Sequence, residues 1–140
     1  MSEPALSSLW RASDTVLVVE DEVFLRCAVG EYLRSCGLHV IETANALEAM
    51  RVLRCGTEID IVFSDIQLPG SVDGITLAEW ISREHPQTKV ILTSGLAEET
   101  WSAAAGRYQI LSKPYDHCDL ESRIRVLLSS GADPRSSAFS

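Results

Sequence analysis

The sequence predicts a doubly wound α/β domain, a parallel sheet with helices packed on both faces. Three observations carry this. Five short runs of β-branched and aliphatic residues are apolar throughout instead of alternating, as befits strands buried on both sides. The segments between them repeat apolar residues every three to four positions, the spacing of a helix with one buried face. Polar, chemically active residues stand at the C-terminal ends of successive strands, where open parallel sheets keep their ligands.

Residues 1–13 are small and polar, with Leu6, Leu9 and Trp10 at helical spacing, and read as a frayed arm. Residues 15–20 (TVLVVE) form the first strand, which runs into Glu20, Asp21 and Glu22. Residues 23–36 form an amphipathic helix, pairing Phe24 with Ala28 and Leu25 with Val29 and Leu33, and Gly37 stops it. Residues 39–43 are the second strand. Asn45 then caps a helix with Glu48 at its third position; Leu47, Met50 and Leu53 are expected to face inward, and Gly56 closes it. The third strand ends at Asp65, after which Pro69, Gly70, Asp73 and Gly74 forbid regular structure. Residues 75–85 are a helix with Leu77 and Ile81 on one face, ending before Pro86. Residues 89–93 (KVILT) are the fourth strand, broken by Ser94 and Gly95. A weakly patterned helix over 97–105, a fifth strand over 109–112 and a last helix over 120–128, striped with Leu120, Ile124, Leu127 and Leu128, complete the domain. Residues 131–140 have the composition of a loose tail, so the domain is expected over 14–130.

A chain of 140 residues suits one domain, and its 46% hydrophobic and 23% charged residues are an ordinary globular composition. No run approaches the length of a membrane span, and the N-terminus has an early acid and no apolar core, unlike a secretory signal; a cytoplasmic location is the default. A net charge of -8 without clustered Lys and Arg argues against direct nucleic-acid binding. Cys27, Cys36, Cys55 and Cys118 lack CxxC spacing and read as reduced, partly buried thiols. His39, His85 and His117 are scattered without metal-ligand spacing, and Trp80 and Trp101 read as helix surface or partial core.

With the flavodoxin-like strand order 2-1-3-4-5, the first and third strands are neighbours and Asp21 meets Asp65 at the switch point. The same rim then collects Glu20 and Asp21 after the first strand, Asp65 after the third, Thr93 and Ser94 after the fourth, and Lys113 after the fifth. Each alone reads as a cap, a turn residue or a solvated lysine. Those separate readings do not explain why all fall at one end of the sheet. Two carboxylates about 4 Å apart repel by roughly 4 kcal/mol at an effective dielectric of about 20, so three together call for a cation. Mg²⁺ suits a site with few carboxylates and several waters.

The motifs VLVVEDE, SDIQLPGSVDG, ILTSG and LSKPYD, in that order, resemble the receiver domain of two-component response regulators over residues 15–129. The resemblance implies a stand-alone, single-domain receiver of the chemotaxis-regulator kind. It makes Asp65 the phosphoacceptor, taking a phosphoryl group from a phosphohistidine on a sensor histidine kinase or histidine phosphotransfer protein. Glu20, Asp21, Asp65 and the backbone carbonyl of Gln67 would hold Mg²⁺, Glu20 mainly through water. Lys113 would pair with one phosphoryl oxygen and Thr93 would donate its hydroxyl to another. Thr93, Ser94 and Ile110 occupy the switch positions, and the Lys113-Pro114 bond is expected cis. Output is expected through a downstream protein target or onward phosphotransfer. Such a domain catalyses only its own phosphorylation and dephosphorylation, and homodimerisation through its helices stays open.

Two departures are visible. Asp73 and Gly74 fall eight and nine residues after Asp65, one later than the usual pattern, so the loop near Gly70 and Ser71 holds an extra residue. The usual switch aromatic is Ile110, with Tyr108 two residues earlier. Two alternatives stay open from sequence. A Mg²⁺-dependent small-molecule phosphohydrolase is disfavoured because Gln67 cannot transfer a proton, and a non-phosphorylated docking module is disfavoured by the intact reacting set.

Overall fold

A computed structural model describes residues 14–96 and 103–132. Five strands, β1 (Thr15–Val19), β2 (His39–Thr43), β3 (Ile61–Asp65), β4 (Lys89–Ser94) and β5 (Gln109–Ser112), form one sheet in the order β2-β1-β3-β4-β5. All four pairings are parallel, and the fold matches the sequence expectation. The helices are α1 (Val23–Ser35), α2 (Ala46–Arg54), α3 (Gly74–Glu84) and α4 (His117–Ala132). The arm over 1–13, residues 97–102 of the weakly patterned helix, and the tail from 133 lie outside the described residues; residues 103–105 are helical.

The unbroken apolar runs have a direct cause in the two-residue period of a strand. Val16 and Val18 of β1 join Ile61 and Phe63 of β3 under Val29 and Leu33 of α1 and Leu120 and Ile124 of α4. Leu17 and Val19 point the other way, joining Val62 beneath Ala49, Met50 and Leu53 of α2 and Leu77 and Ile81 of α3. Neither face reaches water along Val16–Val19 and Ile61–Phe63, and those residues are apolar throughout.

Three of the four helix starts are capped by a side chain. Glu22 caps α1 by accepting from the Leu25 N–H at 2.9 Å, Asn45 caps α2 through the Glu48 N–H at 2.9 Å, and Asp73 caps α3 through the Thr76 N–H at 2.8 Å. The Glu48 carboxylate returns a bond to the Ala44 N–H at 2.8 Å, completing a reciprocal cap.

Some side chains correct the periodicity reading. Leu47 does not face inward: it is 54% exposed, and the buried stripe of α2 is Ala46, Ala49, Met50 and Leu53. Phe24 is 81% exposed and Leu25 40%, so α1 buries only Val29, Gly30 and Leu33. The first turn of α1, Val23 to Leu25, is exposed, which the pattern of a helix by itself does not reveal. Cys27, Cys55 and Cys118 are exposed and only Cys36 is partly buried; all four are free thiols. The last helix begins at His117, one turn before its apolar stripe.

Candidate functional site

The site is assembled by strand register. β1 and β3 lie side by side with Val19 opposite Ser64, so the residues that follow, Glu20 and Asp21, come level with Asp65. β4 lies on the other side of β3 with Thr93 opposite Asp65, and β5 next to it with Leu111 opposite Thr93. The three acids between residues 20 and 22 divide their work. Glu22 serves as the helix cap, while carboxylate oxygens of Glu20, Asp21 and Asp65 lie within 4.8 Å of one another, the one such acidic, Cys or His group among the described residues. Glu20 and Asp65 are buried and Asp21 is exposed, so the cluster opens to solvent on one side.

Lys113 ties the cluster together. Its Nζ donates to Asp65 Oδ2 at 2.8 Å and to Glu20 Oε1 at 3.3 Å. Burial works against the ammonium charge, but the hydrogen bond that Lys113 donates to Asp65 and the charges of Asp65 and Glu20 outweigh it and raise the Lys113 pKa. The Lys113-Pro114 peptide is cis. Asp65 Oδ1 accepts from the Gln67 N–H at 3.1 Å, which brings the backbone of Gln67 beside the carboxylate; its side chain is exposed. Three carboxylates against one ammonium leave the cluster with a deficit of positive charge. These hard oxygen donors, one of them open to water, fit a small divalent cation.

Glu20 carries the electrostatic cost of the arrangement. Burial raises its pKa, the bond from the Glu22 N–H at 3.1 Å and the Lys113 charge pull it down, and Asp65 pushes it up again, with a net rise above 4.5. A carboxyl with a raised folded pKa contributes its stability below the unfolded value and loses it as pH rises through the folded one. Glu20→Gln is therefore expected to gain thermal stability relative to wild type as pH climbs above 4.5 in metal-free buffer, the two converging below it. Melting temperatures across pH check this; a constant offset would contradict it.

Thr93 is buried, and its hydroxyl donates to the Leu111 carbonyl at 2.7 Å instead of standing free in the site. Ser94 is buried at the end of β4, with its Oγ accepting from the Leu96 N–H at 3.0 Å. Ile110 lies on the far side of the sheet end. With Tyr108 it packs against Ile66, Ala78 and Leu92, and the Tyr108 phenol lies 3.3 Å from the Ser82 hydroxyl.

Sequence reasoning placed Glu20, Asp21, Asp65, Thr93 and Lys113 correctly on one rim. It missed Tyr115, whose ring meets Phe63 edge-on at 5.6 Å and whose phenol pKa is raised by burial and then by Glu20 and Asp65. The only sequence signal was an aromatic two residues beyond the lysine. It also treated Gly74 merely as a breaker. A Cβ there would meet the Asp65 carbonyl oxygen and come within 2.7 Å of the Ile66 Cα.

Comparison with known proteins agrees with this geometry. Residues 16–125 match the model of the response regulator receiver domain. The chain is 36% identical over 120 residues to the sensor kinase CckA of Brucella abortus, covering 83% of this chain but only 13% of that kinase. It is 32% identical over 120 residues to the chemotaxis protein CheY of Treponema pallidum, covering 81% of each. A crystal structure of a response regulator receiver protein from Sinorhizobium medicae superposes with a TM-score of 0.78 at 26% identity, over 84% of this chain and 96% of that one.

Proposed function

The chain belongs to the response regulator receiver family, and on that premise we propose that Asp65 accepts a phosphoryl group from a phosphohistidine of a partner protein. The observation that carries the assignment is the Lys113 ammonium bridging Asp65 and Glu20 at the end of β3. It holds the acceptor carboxylate at the open end of the sheet beside Asp21.

One carboxylate oxygen of Asp65 forms the new O–P bond as the P–N bond to the donor imidazole breaks, giving an acyl phosphate. Glu20, Asp21, Asp65 and the Gln67 carbonyl would hold Mg²⁺, which when bound neutralises charge on the phosphoryl oxygens. Lys113 is released from carboxylate to phosphoryl oxygen as the group arrives. Thr93 exchanges the Leu111 carbonyl for another phosphoryl oxygen, and the roughly -1.5 to -2 charge of the new group supplies the drive. Breaking the Thr93 to Leu111 bond links Asp65 chemistry to β5, and a downstream protein that reads this edge would receive the signal. The transfer ends on the protein itself, and hydrolysis of the acyl phosphate would return Asp65 and release inorganic phosphate. Family membership displaces the phosphohydrolase alternative, and the complete acceptor set weighs against a non-phosphorylated docking module.

We place the partners in the classes of histidine kinase or histidine phosphotransfer protein on the donor side and a protein target on the output side. Among the described residues no helix is long and apolar enough to cross a membrane.

Intact mass after brief incubation with acetyl phosphate tests the reading. One added phosphoryl group that requires Mg²⁺ is the expected result. Failure to gain it, with neither donor consumption nor trapping by beryllofluoride, would overturn the assignment.

A further inference from the structure

Arg26 of α1 takes no part in the chemistry above, yet it reaches the backbone that carries the metal-binding acids. Its Nη1 donates to the Glu20 carbonyl oxygen at 2.8 Å, while its Nε lies 3.7 Å from Oε1 of Glu42 on β2. The arginine is mostly buried, with only 19% of its side chain exposed. Glu42 is itself seated deliberately by the sequence. Arg26, Gly30 and Arg34 are four residues apart and share one stripe of α1. A Cβ on Gly30 would collide with Glu42 Oε2, so the missing side chain makes the notch in which the carboxylate sits. Arg34 closes the notch from below, donating to Glu42 Oε2 at 2.9 Å and to the Val40 carbonyl at 3.0 Å.

The backbone of Glu20 is therefore held on both sides of its Cα, once in the Val19–Glu20 peptide and once in the Glu20–Asp21 peptide. The Glu20 N–H donates to the Thr43 carbonyl at 3.0 Å, and the Glu20 C=O accepts from Arg26. Asp21 follows directly and is exposed, so the orientation of the Glu20–Asp21 peptide governs where its carboxylate stands relative to Asp65. Arg26 also adds a fixed positive charge near the acids, which alone would weaken cation binding. Geometry and charge thus oppose one another, and this lets a test separate them.

We propose that Arg26, keyed by Glu42 in the notch at Gly30, is a positioning residue that sets the Glu20–Asp21 turn for the divalent cation. The inference rests on the proposed function of the site. Groups that orient metal ligands from behind commonly contribute about 10- to 100-fold in metal affinity.

Binding of Mn²⁺ to the full chain, followed by loss of the free-ion electron paramagnetic resonance signal, is the test. Arg26→Ala is expected to weaken binding about tenfold. Arg26→Lys, which keeps the charge but not the two-sided reach, should fall between it and wild type. Glu42→Gln should weaken binding in the same direction, and its effect should largely vanish when Arg26 is already alanine. Arg34→Ala removes a partner of Glu42 but not of Glu20; it should lower the melting temperature and weaken binding less than Glu42→Gln does. Equal or tighter binding by Arg26→Ala would overturn the inference and leave charge as the only role. So would affinity loss in Arg34→Ala as large as in Arg26→Ala, which would mean general loosening. Wild type that binds no divalent cation would instead remove the proposed function, and this inference with it.

Discussion

Asp65→Asn is expected to take up no phosphoryl group under conditions in which wild type gains one, the largest functional effect of any single change in this chain. Asparagine keeps the size of the side chain and an oxygen able to accept from the Gln67 N–H, which stands 3.1 Å from Oδ1. What it loses is the anionic oxygen that attacks phosphorus and the charge that holds Lys113 Nζ at 2.8 Å. Intact mass with acetyl phosphate and Mg²⁺ reads the outcome directly. A second readout distinguishes loss of the nucleophile from loss of the fold. A ligand that binds only the native state stabilises it by about 2.7 kcal/mol at one hundred times its dissociation constant. Wild type should therefore melt higher as Mg²⁺ is added. The variant should respond less, since one of the three clustered carboxylates is gone. An adduct that persists in Asp65→Asn would move the acceptor to another side chain, and the proposal for this site would fail.

How much of this was legible in the sequence follows from which interactions are local. The strands were readable because each is buried on both sides, so every residue of Val16–Val19 and Ile61–Phe63 had to be apolar. Strand order was one common solution for a doubly wound sheet, and with it the polar groups fell on a single rim. Local chemistry also gave the cap at Asn45, whereas Asp73, expected only as a loop residue, caps α3. What remained hidden depends on parts of the chain that meet only after folding. Phe24 and Leu47 fit the helical period, but both side chains face solvent. The resting partner of Thr93 is a carbonyl 18 residues away, and nothing about a threonine at a strand end specifies it. Arg26 and Glu42 resemble ordinary surface charges until Gly30 is seen to leave room for them. The extra loop residue was legible; that the loop still returns Gly74 against β3 was not.

That return makes Gly74→Ala the substitution with the largest expected effect on stability. Gly74 opens α3, and its N–H donates to the Ile66 carbonyl at 2.7 Å, so the helix begins in contact with the strand end that carries Asp65. The atoms a Cβ would meet are backbone, the Asp65 carbonyl oxygen and the Ile66 Cα, with no flexible side chain to turn aside. Either the strand end or the first turn of α3 has to shift. The cost should reach about 3 kcal/mol, the upper end of what overpacking a tight site costs, with a fall of roughly 10 °C or more in melting temperature. Gly70→Ala is the matched control. Gly70 lies in the same loop at φ +96°, but a Cβ there meets nothing within 4 Å. Its penalty comes from backbone conformation alone, about 1–2 kcal/mol, with Asp65 undisturbed. Urea denaturation of the two variants, beside their rates of phosphorylation by acetyl phosphate, separates the effects. Gly74→Ala should lose both stability and rate, because the displaced atoms include the backbone of Asp65 itself, whereas Gly70→Ala should lose only stability. If Gly74→Ala were as stable as wild type, the loop lengthened near Gly70 and Ser71 would have to absorb the added carbon, and the close approach of α3 to β3 would not be what fixes the acceptor in place.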